Sequence, residues 1–282
     1  MRADSHWMTY GRKNFFLILP YMLVVLVFII IPITLIFIKS FTPTSAGGIA
    51  ENWNFVNGFI WIKILKSFIV AILATIISVF IAYPFSYFLA FDVKGKTVKM
   101  IAVLFITAPT WMSFLVKIIG VKTFFDFING FSNSTSGDIF TVIGLVYIYV
   151  PFMIMPIYNV LKDMPKNLIY ASKDLGRNSW STFINIVIPY TKNALISGLT
   201  LVFLPCLTSV GVPQFLNSNS SGSLIGDIIM EEGQLAQTSD ISLARASTLA
   251  LIVFLFLVVG LLIFWSSKKI VKLAMRRRAR KW

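Results

Sequence analysis

Nucleotide hydrolysis needs a glycine-rich loop that ends in Gly-Lys-Ser/Thr, with another glycine five residues ahead. The sequence approaches this once, at Gly95-Lys96-Thr97, and there the earlier position is Ala90. The match is incomplete and sits in a short polar gap between two apolar runs, so the chain is not expected to hydrolyse ATP. It has one cysteine, Cys206, in an apolar run and one histidine, His6. Disulfides, Cys/His metal sites and Cys–His catalysis therefore lack material within one chain. Cys206 reads as a small packing residue. Ion-coupled carriers place ionisable groups deep in the bilayer, yet the long apolar runs contain no carboxylate. The cations within them, Lys117 and Arg245, sit near run ends, where they can snorkel to water. No nucleophile–base pair or metal cluster presents itself, so no catalytic or metal-ligating residue is assigned, and any energy for transport would come from elsewhere.

The elements that carry these residues are membrane spans. Of 282 residues, 57% are hydrophobic and 13% charged, against about 25% charged in a soluble domain. Crossing a bilayer takes about 20 apolar residues, and six runs qualify: residues 15–38, 67–91, 100–120, 139–160, 194–216 and 244–265. The first is too long for a signal-peptide core of about 7–15 residues, and no clear cleavage site follows it. The aromatic stretch over 39–66 (Trp53, Phe55, Phe59, Trp61) suits the interface. The expected fold is an all-α, polytopic membrane protein with one transmembrane domain over 1–282.

The net charge is +14, but no soluble basic domain offers it to nucleic acid. The basic residues instead set topology. With both termini inside, the inner segments hold Arg2, Arg12, Lys13, Lys94, Lys96, Lys99, Lys162, Lys166, Lys173, Arg177, Lys192 and the basic tail over 268–282. The outer segments hold only Lys39, Lys63, Lys66 and Lys122. The positive-inside rule then puts both termini and the loop over 161–193 in the cytoplasm. Acidic residues run the other way, with Glu51, Asp126, Asp138, Asp227, Glu231, Glu232 and Asp240 outside.

That central loop, DMPKNLIYASKDLGRNSWSTFINIVIPYTK over 163–192, has a helical pattern of its own. Pro165 suits a first helical turn. Leu168, Ala171, Ser172 and Leu175 share one narrow small-and-apolar face. Gly176 suits a left-handed helix end, and Asn178 or Ser179 can cap a second short helix. Phe183, Ile186 and Val187 give that helix an apolar face, and Pro189 marks a joint before the fifth span. An amphipathic linker resting on the bilayer would read similarly. The small exposed residues favour insertion into a protein groove.

The string Tyr170-Ala171-Ser172-Lys173-Asp174-Leu175-Gly176, followed by Phe183 and Ile186-Val187-Ile188-Pro189, resembles the "EAA" loop of ABC-importer permease subunits. Tyr170 stands where that family usually has glutamate, so docking here should rest more on shape around Ala171 and Gly176 than on that charge. Further strings (Ala82-Tyr83-Pro84-Phe85, Pro109-Thr110-Trp111, Gly144-Leu145-Val146-Tyr147, Pro151 to Tyr158, Leu224-Ile225-Gly226-Asp227) resemble the B-type permeases of spermidine/putrescine importers. The likeness extends from the first run to the sixth.

The resemblance implies a type I ABC-importer permease in the cell membrane. Its partners would be a second, similar permease, two ATPase subunits that use ATP and Mg, and an external substrate-binding protein. The chain itself would bind no cofactor. The coupling residues would be Tyr170, Ala171, Ser172, Asp174, Leu175, Gly176 and Pro189. A polyamine is a flexible polycation that suits aromatic faces and a few carboxylates, so Trp111, Tyr147, Tyr149, Asp227 and Glu231 are the candidate pathway residues. Ordinary packing or contact with the binding protein would also account for them. Two other readings stand beside this one: the same permease architecture for another solute or ion, and an ion-coupled secondary transporter.

Overall fold

A computed structural model describes residues 18–44, 48–128, 137–217 and 223–279. The basic N-terminal segment with His6, the start of the first run, residues 129–136 of the outer loop, residues 218–222 and the last three residues lie outside the described residues, as do the side chains of the basic tail. Among the described residues the regular structure is helical. Five helices are long and apolar enough to cross a membrane, or six if one bent pair counts as a span.

The helices are α1 (Ile18–Ser40), α2 (Ile49–Asn54), α3 (Gly58–Phe91), α4 (Lys96–Trp111), α5 (Phe114–Ile128) and α6 (Asp138–Lys162). They continue with α7 (Asn167–Asp174), α8 (Ser179–Leu207), α9 (Val212–Leu216), α10 (Ile225–Leu235) and α11 (Asp240–Ala279). The chain divides into two compact units, 1–57 with 229–282, and 58–228.

In the first unit α11 packs along α1 and α2. The amide of Asn52 donates to the carbonyl of Thr42 at 2.9 Å, which holds α2 against the end of α1. Arg245, expected to snorkel, lays its guanidinium over the Phe55 ring at 4.8 Å, a cation–π contact.

The second unit is built on α3, α6 and α8, which pack against one another. The buried stripe of α3 includes Ser67, Ala71, Ala74, Ser78, Ala82 and Ser86, spaced three or four residues apart. Small side chains let helix backbones approach closely, which is how apolar helices associate where lipid competes for their larger side chains. The helices packed on α3 contribute Leu145, Met153 and Ile157 of α6 and Val202 and Cys206 of α8, all fully buried. Ser86 donates across this contact to the carbonyl of Ile154 at 3.3 Å.

Three expectations are corrected. The third run is not one span over 100–120. It breaks into α4 and α5, bent by 103°, because Met112 adopts an extended backbone and Pro109 in the preceding turn has no N–H to continue the ladder. Span two starts at Gly58 rather than Ser67, so Lys63 and Lys66 lie on a helix and not in a loop.

The fifth span starts at Ser179 and ends at Leu207, instead of covering 194–216. Pro189 is no joint there. The helix widens into a π turn over Phe183–Val187, where the N–H of Ile188 reaches the carbonyl of Phe183. This register change makes room for a proline that would otherwise clash one turn back. The same device precedes Pro32 in α1, over Leu26–Ile30.

After α8 the chain turns at Thr208–Gly211, and α10 returns against that turn. The contact is backbone on backbone. A Cβ on Gly226 would stand 2.5 Å from the carbonyl oxygen of Ser209 and 3.0 Å from that of Thr208. Gly226→Ala should therefore destabilise the folded chain by about 1–3 kcal/mol, the usual range for overpacking. Gly198→Ala, whose Cβ would crowd the flexible Met153 thioether at 2.7 Å and meet the Met153 backbone at ordinary contact distances of 3.5 and 3.6 Å, should cost less. Thermal unfolding of the two purified variants in one detergent checks this ordering, and equal melting temperatures would contradict it.

Candidate functional site

One end of the second unit carries a helical hairpin, α7 and the start of α8. The turn between them follows directly from its residues. Gly176 has φ +75°, a conformation open to glycine and strained for other residues. Its N–H bonds the carbonyl of Lys173 at 2.9 Å, and the N–H of Arg177 bonds that of Ser172 at 3.1 Å. These are the two bonds of a Schellman helix end. Two residues on, the Asn178 side chain accepts from the N–H of Trp180 at 2.6 Å and so caps α8.

The arms are clasped by a buried bond between the Ser172 and Thr182 hydroxyls at 2.8 Å. Ser172 is 2% exposed, and it shares the inward face of α7 with Ile169. The expected outward stripe is thus corrected. Leu168, Ala171 and Leu175 face outward, while Ser172, one turn behind Leu168, faces in.

The hairpin presents large apolar side chains among polar ones such as Lys173 and Arg177. Leu175 is 81% exposed, Trp180 68% and Tyr170 57%. Asp174 is exposed beside them. Tyr170 also borders a cleft of about 220 Å³ with Lys166, Lys173 and Asp92. Behind this surface the hairpin is anchored to α3. Phe183 meets Tyr83 and Tyr87 edge-on, at 5.2 and 5.8 Å between centroids. The hydroxyls of Tyr83 and Thr191 are hydrogen-bonded to each other.

The opposite end of the unit holds a polar layer. Asp227 is 3% exposed, and its two oxygens accept from the N–H of Gly211 at 2.9 Å and of Leu224 at 3.0 Å. Burial pushes its carboxyl above the ordinary range, while these two donors and the Lys63 charge pull it down. Lys63, 3% exposed, donates to Ser223 at 2.9 Å and lies 5.0 Å from the Phe59 ring centre. Ser67 accepts from the N–H of Ile225 at 2.9 Å. Asp138 pairs with Lys66 at 2.7 Å and accepts from Asn217 at 2.8 Å. Together these bonds tie the connection from α8 to α10 onto α3 and α6.

The second unit thus carries a rigid helical hairpin at one end and a fastened connection at the other. Residues 82–275 match the family described as binding-protein-dependent transport system inner membrane component. The chain belongs to that family. Its relatives include spermidine/putrescine permease PotB homologs of Mycoplasma genitalium, 35% identical over 84% of this chain and 86% of the relative, and of Mycoplasma pneumoniae, 34% identical over 86% and 90%. PotB of Escherichia coli K12 is 31% identical over 73% of this chain and 78% of its own. An ABC transporter that imports the acidic polysaccharide alginate shares the fold, with a TM-score of 0.65 over 94% of this chain and 99% of that one at 13% identity.

This permease is therefore a multi-pass cell-membrane protein and a non-catalytic transport subunit; in its family the ATPase is a separate subunit. The structure distributes its candidate pathway residues rather than gathering them. Trp111 ends α4 and is 74% exposed. Tyr147 is exposed and Tyr149 half-buried on α6, and two residues apart on a helix they point about 200° from each other. Asp227 does not stand at an open mouth: it is buried, and its oxygens accept from the backbone N–H groups of Gly211 and Leu224. Glu231, one turn further along α10, is exposed.

Residues that sequence reasoning did not single out for a site are Lys63, Ser67, Asp138, Asn217 and Thr182. Their shared signal is a polar side chain in or beside an apolar run, which default expectations treat as functional. If the Ser172–Thr182 bond clasps the hairpin, a double-mutant cycle of Ser172→Ala and Thr182→Ala should give a coupling energy of about 0.5–1.5 kcal/mol in thermal or denaturant unfolding. Additive effects would show that the two hydroxyls act independently.

Proposed function

We propose that this permease forms half of the translocation pathway of an ATP-driven polyamine importer and couples to ATPase subunits through the α7–α8 hairpin. The observation that carries the coupling reading is the hairpin's exposed Leu175 and Trp180 on a turn fixed by Gly176, Asn178 and the Ser172–Thr182 bond. A membrane protein rarely leaves such large side chains bare on a rigid polar turn without a partner. The excess of basic residues in the segments that include this loop supports a cytoplasmic placement, within reach of soluble ATPases. The substrate class is supported by the polyamine transport names of the relatives.

In this reading a second, similar permease completes the pathway, two ATPase subunits bind ATP and Mg beneath, and an external binding protein delivers the polycation. Closure of the ATPases would pull on α7. Because α8 runs unbroken from Ser179 to Leu207, the pull would pass along one helix to the turn at Thr208–Gly211 and the polar layer around Asp227. Rocking of α8 against α3 and α6 would then alternate access.

Proteoliposomes that contain all subunits should take up radiolabelled spermidine and putrescine only with ATP. Uptake no faster than in empty vesicles would overturn the substrate assignment. Gly176→Pro tests the coupling separately, since proline fixes φ near −65° and cannot adopt the +75° of this turn. It should cut uptake by at least about tenfold, more than 1.4 kcal/mol of lost coupling, while the subunit remains in the membrane. Normal uptake in that variant would contradict the docking model.

A further inference from the structure

On the flank of the second unit, α3 and α6 enclose an apolar trough of about 620 Å³ headed by the Lys66–Asp138 ion pair. Its walls are Ile62, Leu65, Ile69 and Leu73 of α3 with Val142 and Ile143 of α6. The depth of the site in the bilayer follows from helix geometry. At 1.5 Å per residue, the 34 residues of α3 extend about 51 Å, against about 30 Å of hydrocarbon. Centring the helix leaves about seven residues outside at each end and puts Lys66 at the hydrocarbon boundary. Asp138, at the N-terminus of the 25-residue α6, lies at the same level. The trough continues to Ile77, about 16 Å below Lys66, which is close to the depth of one leaflet.

The site thus has the outline of an amphiphile, with charge at the interface and an apolar channel one leaflet deep beneath it. We propose that it binds a zwitterionic phospholipid, whose phosphate meets Lys66 and whose ammonium meets Asp138, with an acyl chain lying in the trough. The charge pattern selects the headgroup. A lone lysine would favour an anionic lipid. The adjacent Asp138, with 53% of its side chain exposed against 22% for Lys66, repels a second anion and attracts an ammonium. An ammonium has three N–H donors and a carboxylate about four acceptor positions, so the headgroup can join the existing pair without breaking it. The apolar residues that line the trough are well exposed on this chain, with Ile62 at 64%, Leu65 at 61% and Ile69 at 58%. The inference depends neither on the substrate nor on which side of the membrane the trough opens.

The test uses the complete importer, delipidated in detergent and then offered equal amounts of phosphatidylcholine, phosphatidylethanolamine and phosphatidylglycerol, with retained lipid read by native mass spectrometry. The wild type should retain the two zwitterionic lipids over phosphatidylglycerol by about tenfold. Leu73→Trp, which fills the trough from an exposed position without touching the ion pair, should remove that excess. The double variant Lys66→Gln/Asp138→Asn should erase the preference among headgroups while the trough still holds lipid. Equal retention of all three lipids by the wild type would overturn the proposal. So would no retained lipid, as expected if another subunit's helix fills the trough, or a preference unchanged in both variants.

Discussion

In hydrocarbon a backbone N–H or carbonyl without a partner costs several kcal/mol, and this chain frees such groups wherever its long helices are interrupted. Three of the described interruptions have a remedy of their own. At Pro189 the helix widens by one residue, so that Ile188 reaches back to Phe183. At Gly176 the left-handed turn returns two N–H groups to the last carbonyls of α7. At Gly211, φ +84°, the turned-out N–H is accepted by the Asp227 carboxylate, which also holds Leu224.

These remedies decide what is stiff. The first keeps α8 continuous from the hairpin to the far end of the unit. The second gives the hairpin a fixed turn, so that its exposed apolar residues keep their spacing. The third fastens the connection from α8 to α10, with Lys63, Ser67 and Asp138 adding ties to α3 and α6. A stiff helix between the hairpin turn and the polar layer can carry displacement along its length, which a chain hinged at Pro189 could not.

Much of this was legible in the sequence, for identifiable reasons. Hydropathy located the spanning runs because the bilayer demands them. Gly176 and Asn178 were readable because left-handed turns and helix caps have few acceptable residues. The break at Met112 was not, since it falls inside an apolar run and the extended backbone of one residue leaves no trace in hydropathy. Ser172 was placed on the wrong face because its partner, Thr182, is found only when the hairpin closes. Asp227 was read as a mouth residue because sequence separation hides Gly211, sixteen residues earlier, which the fold brings to its carboxylate. The start of the fifth span was set too late because Pro189 was treated as a helix joint, whereas a π turn absorbs it.

In the proposed coupling an ATPase subunit covers the hairpin's exposed face, and a single cysteine can read that directly. The chain's own cysteine, Cys206, is fully buried, so labelling of this subunit, resolved from the others on a gel, reads a cysteine introduced at Leu175. In membranes that contain the whole importer, Leu175→Cys should be protected from a water-soluble maleimide, and it should become reactive when the ATPase subunits are stripped away. Equal labelling with and without the ATPase would contradict the claim that this turn is where the two subunits meet.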